Sequence, residues 1–184
     1  MSKHGFVRRT SLILPTVAFA FAAATVCAAQ ASKDSKEVSA LLSDVRTEAV
    51  QLRHDADEMK AFTHSTLTWE THARKVEEIK EHVNSAEKLL TKLDNAKAGA
   101  SPWQQQAVDR ITPMLKELAS SVTATIDHLS QKPKLLHTAP YADYVAANYD
   151  LASNLAELIS DYVDYGKAKA RSEELAAKLE VPGS

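Results

Sequence analysis

Residues 68–98 read TWETHARKVEEIKEHVNSAEKLLTKLDNAKA. Within this stretch Trp69, His72, Val76, Ile79, Val83, Ala86, Leu90 and Leu93 recur at alternating steps of three and four. Such spacing lays one seam along an α-helix, in the rhythm of long helices packed side by side. A single seam has to be covered by others, and the same rhythm recurs on both sides of it. Val38, Leu42, Val45, Ala49, Leu52, Ala56 and Met59 form the preceding seam, which Leu41 and Val50 widen toward a globular bundle face. Val108, Ile111, Leu115, Leu118, Val122, Thr125 or Ile126, and Leu129 form the next. Tyr141, Tyr144, Asn148, Leu151, Leu155, Leu158, Tyr162 and Tyr165 form the last, which Val145, Ala152 and Ile159 broaden. The expected fold is all-α: a four-helix, mostly antiparallel up-down-up-down bundle with a long C-terminal helix.

Element ends follow from local chemistry. Helices are expected over about 34–63, 68–98, 102–131 and 140–180. Asp34 with Glu37 three residues on suggests the first N-cap. Between 63 and 68 no Gly or Pro marks a turn, but Ser65, Thr66 and Thr68 suit caps better than helix interiors. The competing reading is one uninterrupted helix over 34–98. Gly99 offers a left-handed stop, and Ser101-Pro102 an N-cap followed by Pro at the first helical place. Pro113 lies inside the third helix, where a missing N–H and a steric clash cost about 3 kcal/mol. A kink near Pro113, or a restart capped by Thr112, is expected. On the first helix Asp44, Arg46, Arg53, Asp55 and Lys60 read as a solvated face, and residues 167–180 exceed the length that the other helices can cover.

Ahead of these helices lies a different composition. Lys3, His4, Arg8 and Arg9 precede an uncharged, alanine-rich run over 12–29, and Ala29-Gln30-Ala31 fits a small-x-small cleavage pattern. Residues 1–31 are therefore expected to be a secretory signal peptide, with an uncleaved anchor as the alternative. Ala24-Thr25-Val26 before Cys27 makes a poor lipobox, and Ser11 weakens a twin-arginine reading of Arg8-Arg9. Localisation is expected to be periplasmic or secreted, in a bacterial envelope, with no membrane contact after cleavage. The mature chain of about 153 residues suits one domain, residues 32–184.

Composition excludes several functions. Loss of Lys3, Arg8 and Arg9 turns 22 basic against 24 acidic residues into 19 against 24, a net charge of −5 with neutral His. No concentrated basic face for nucleic acid is evident. The sole cysteine, Cys27, falls within the signal, so disulfides and thiolate metal sites are not expected. With only Gly99, Gly166 and Gly183 after the signal, glycine-rich phosphate loops are absent. Glu-x-x-His pairs for a di-iron bundle are also missing.

One constellation carries possible chemistry. In an up-down-up-down bundle the first and third turns share a pole, which would hold His64, His72, His128 and His137, with Met59 at about the height of His72. Gathered imidazoles can bind zinc, copper or nickel, and a Met/His pair can hold haem. No His-x3-His pair anchors such a site, and ordinary helix-end histidines explain the same residues. The tyrosines of the last helix read as half-buried core, with Asn148 as a buried register residue. The plan resembles exported bacterial helical bundles, among them sensor and cytochrome-type domains, without a motif that selects one. The expected function is a non-enzymatic structural or protein-interaction role, without a cofactor. Contact or self-association would run through the overhang of the fourth helix. A metal- or haem-binding bundle is the alternative.

Overall fold

The four seams become four helices, and what ends each helix is visible in its flanking side chains. The computed structural model describes residues 33–136 and 138–180. The expected signal peptide and His137 lie outside the described residues. Helix α1 spans Lys36–Phe62. Its N-cap is Ser35, not Asp34: the Ser35 hydroxyl accepts from the Val38 N–H at 3.3 Å. Helix α1 stops without Gly or Pro because hydroxyls take over its last carbonyls. Thr63 Oγ1 donates to the Lys60 carbonyl and Ser65 Oγ to the Phe62 carbonyl, each at 2.7 Å. Helix α2 then starts afresh over Trp69–Ala96, with Thr68 in extended conformation at its N-cap. The chain therefore turns at 63–68, and the single rod over 34–98 is excluded.

Gly99 does not adopt the left-handed conformation expected of it. Instead α2 tightens into a 3-10 turn, Lys97–Gly99, closed by the Ala100 N–H donating to the Lys97 carbonyl. Ala100 is buried beneath it. Helix α3, Pro102–Gln131, opens with a capping box in which Ser101 and Gln104 satisfy each other's backbone N–H groups. It runs on through Pro113 as one helix, with no restart at Thr112. Pro113 is exposed, and so is Asp109, whose carbonyl loses its usual donor. Water can hydrate that carbonyl, which keeps the defect affordable. Helix α4, Ala139–Leu179, has 41 residues against 27, 28 and 30 for the others.

In space α1 packs on α2 and α4, and α3 packs on the same two. The four form a ring around the buried seam residues, with short links between successive antiparallel neighbours. Leu42, Leu52 and Met59 of α1, Ile79 and Leu93 of α2, Ile111, Leu115 and Leu118 of α3, and Leu155 and Ile159 of α4 are fully buried. No strand occurs among the described residues. No helix among them is long and apolar enough to cross a membrane. The bundle has two poles. The turns at 63–68 and 132–138 define one. The other holds the start of α1, the turn at 97–101 and the stretch of α4 around Gly166.

Candidate functional site

At the first pole two of the four expected imidazoles meet a phenol. His72 opens the α2 seam and is 1% exposed, and Tyr141 opens that of α4 and is fully buried. Their Nδ1 and hydroxyl lie 2.7 Å apart. Phe62 stands edge-on to His72 at 5.7 Å between centroids. His128, near the end of α3, stacks on Tyr141 at 6.0 Å and leans on Tyr144 at 5.3 Å. Burial lifts the Tyr141 phenol well above its usual range, so it stays protonated and can donate to His72. His64 lies exposed in the turn. The pole thus brings His72 and His128 onto Tyr141 and leaves His64 outside. Met59 is fully buried on α1. His72 Nδ1 faces the Tyr141 phenol, and no group of three metal-ligating side chains includes these histidines among the described residues.

A second cluster was not legible as such in the sequence. Asp55, read as part of a solvated face, is 4% exposed and lies between α1 and α2. Lys75 Nζ sits 3.5 Å from Asp55, 2.7 Å from Glu58 and 2.6 Å from Glu78. His82 bridges Glu48 at 2.7 Å and Asp55 at 3.5 Å, and Gln51 donates to Asp55 at 3.3 Å. Burial opposes the charge on Lys75. Hydrogen bonds to Glu58 and Glu78 and the field of Asp55 outweigh it and hold the lysine above its ordinary pKa. Lys75 in turn holds the Glu58 carboxyl below the usual range. His54, Asp55 and Glu58 offer ligand atoms within 4.8 Å of one another, a spacing that suits a cation. The Lys75 ammonium already stands beside two of these carboxylates. The arrangement works as an ionic clasp between α1 and α2. The signal that marks it is the position of Asp55, beside the seam residues Leu52, Ala56 and Met59.

The opposite pole is tied by Asp34 and Gln104. Trp103 Nε1 donates to Asp34 at 2.8 Å and Lys169 Nζ to its other oxygen at 3.0 Å. Burial raises the Asp34 pKa, but hydrogen bonds from Ser101, Lys169 and Trp103 outweigh this and lower it overall. Gln104 is fully buried. It donates to the Ser35 carbonyl and the Ser39 hydroxyl, and it accepts from the Ser35 and Ser101 N–H groups. These contacts join the first residues of α1 to the start of α3. The Trp103 ring lies across α4 where Gly166 leaves room: a Cβ there would meet its Cη2 at 2.8 Å.

Beyond this pole α4 continues alone. No described residue after Val163 is buried. Tyr165, Leu175 and Leu179 are 52%, 38% and 65% exposed. Its ion pairs lie mostly within the helix, Lys169–Glu173 at 2.6 Å and Arg171–Glu174 at 2.9 Å. Of the features described, this one offers a continuous side-chain surface to another molecule. No family model, no curated protein and no solved structure matches the chain.

Proposed function

We propose that the protein is an exported helical bundle that acts by protein contact and not by catalysis, presenting the distal half of α4 to its partner. Export rests on the basic start, the apolar run over 12–29 and the Ala29-Gln30-Ala31 exit. The contact role rests on one observation: α4 runs past the bundle with Leu175 and Leu179 exposed and no described residue buried after Val163. A helix of that kind gains little from its own fold. Isolated helices of this length are marginal in water, so a packing partner would stabilise it. The side chains of the Lys75 clasp and the Gln104 hub are engaged in holding helices together.

The test uses the single cysteine. In a Cys27→Ala background, Leu175→Cys places one thiol on the projecting helix. A benzophenone-maleimide attached to this thiol and photolysed in intact cells of the source, which inserts into C–H bonds of whatever lies against it, should give a discrete protein adduct at this position. Glu117→Cys, on an exposed site of α3, should give none. Absence of any protein adduct at residue 175 overturns the contact role.

A further inference from the structure

We infer that the cleft between α3 and α4, beside the pole of Asp34 and Gln104, is a binding site for a neutral saccharide. It is separate from Leu175 and Leu179, so it holds or fails without the contact role. Trp103, Gln106 and Arg110 stand at steps of three and four on α3, as do Leu158, Tyr162 and Tyr165 on α4, with Asp161 beside them. Together they line a cleft of about 370 Å³, within the usual size of ligand sites. Its wall is aromatic and set in advance. Trp103, Leu158 and Tyr162 are half-buried against the core. The indole N–H is held by Asp34, Gly166 lets the ring lie close on α4, and Tyr165 stands edge-on to it at 5.3 Å. A wall already fixed in this way has little ordering cost left when a ligand arrives.

The polar groups of the cleft are unspent. Gln106, Arg110 and Asp161 are exposed and make no hydrogen bond or ion pair with any described residue. Arg110 and Asp161 carry opposite charges and line the same cleft, yet they do not pair. The guanidinium stands instead over the Tyr162 ring, 5.9 Å from its centroid. This mixture selects the ligand. A cation would suit the rings and Asp161 but meet Arg110, and an anion would suit Arg110 but meet Asp161. A wholly apolar ligand would take water from all three polar groups and replace none of it. A sugar ring offers an apolar C–H face to the aromatic wall and hydroxyls at its edge. Those hydroxyls donate to Asp161, accept from Arg110 and do either with Gln106. The planar carboxylate, guanidinium and amide each present two polar atoms to neighbouring hydroxyls. A cleft this open holds a short oligosaccharide weakly, with a Kd of about 1 mM.

The experiment is a proton NMR titration of the full chain with maltotriose, cellotriose and chitotriose, which differ in linkage and N-acetylation. At least one should shift the ring resonances of Trp103, Tyr162 and Tyr165, while those of Tyr141 and Tyr144 at the opposite pole stay in place. Arg110→Gln and Asp161→Asn change exposed side chains that tie no helices together, so both should keep the circular dichroism of the parent. Each should weaken binding about tenfold, the loss of one charge-assisted hydrogen bond. No shift with any of the three sugars at tens of millimolar overturns the inference. Tighter binding of benzyltrimethylammonium, phenylacetate or adenosine overturns it too, since that marks a site for a cation, an anion or a stacked base. So does an affinity unchanged in Arg110→Gln or in Asp161→Asn.

Discussion

Gly166 shows how a single missing methyl sets the geometry of a pole. In mid-helix, glycine costs about 1 kcal/mol relative to alanine, so Gly166→Ala would ordinarily stabilise α4. Here the added carbon would lie 2.8 Å from the Trp103 ring. That ring is held by Asp34 at one edge and by Tyr165 at 5.3 Å, which limits its retreat. Overpacking of this kind costs about 1–3 kcal/mol, so the net effect of Gly166→Ala should be destabilising, measured by urea unfolding. In a Trp103→Leu background the sign should reverse. Asp34 carries a second expectation. Its pKa is lowered on folding, so its contribution is present above the unfolded carboxylate range and lost as pH falls through it. The stability difference between wild type and Asp34→Asn should be largest near pH 7 and shrink below about pH 4. Tyr141 has the opposite dependence. Its pKa is raised, so its contribution persists up to about pH 10 and is lost above that. Tyr141→Phe should cost about 1–3 kcal/mol at pH 7 by removing the partner of His72 Nδ1, with a smaller difference in alkali.

At the scale of elements, the clasp between α1 and α2 should be strongly non-additive. Asp55 and Lys75 are both mostly buried, and removing Lys75 takes the cation from three carboxylates, whereas Lys75 without Asp55 keeps Glu58 and Glu78. Lys75→Met alone should cost about 3 kcal/mol, whereas Asp55→Leu with Lys75→Met should cost less than the two single changes together. Glu58 and Glu78 are each 44% exposed, so replacing either with Gln should change stability by under about 1 kcal/mol. Thermal unfolding of the double-mutant cycle checks both. The helices and the seams of α1 and α3 were readable from apolar spacing, whereas Trp69 of the α2 seam and Tyr144 and Tyr165 of the α4 seam are exposed, and α4 buries Val145, Ala152, Ile159 and Val163 instead. Asp55 was not, because a carboxylate beside a seam looks the same whether it meets water or a lysine on the neighbouring helix. Gln104 was hidden for a similar reason: its partners Ser35 and Ser39 lie 69 and 65 residues away. The gathering of His72 and His128 at one pole, each against Tyr141, followed from topology, since it needed only that the first and third turns share a pole. That α3 runs on through Pro113 without a restart was not legible, because the penalty depends on whether the freed carbonyl reaches solvent, and the seam gives no direct measure of that.

For the whole molecule, the bundle and the projecting helix should separate in their contributions. A chain ending at Ala170 keeps every buried residue among those described and the Asp34–Lys169 pair. Its unfolding midpoint in dilute solution should match that of the full chain to within about 2 °C, by circular dichroism. Loss of cooperative unfolding would instead place the last turns of α4 within the fold. The two tryptophans give the molecule a built-in pair of optical probes. Trp69 is 44% exposed at the start of α2, by the pole of His72 and Tyr141. Trp103 is half-buried at the start of α3, at the far end, with its indole N–H held by Asp34. Replacing either with Phe leaves a single emitter that watches one tip. Fluorescence from Trp103 should be bluer than that from Trp69, and stopped-flow traces of the two variants would tell which tip opens first.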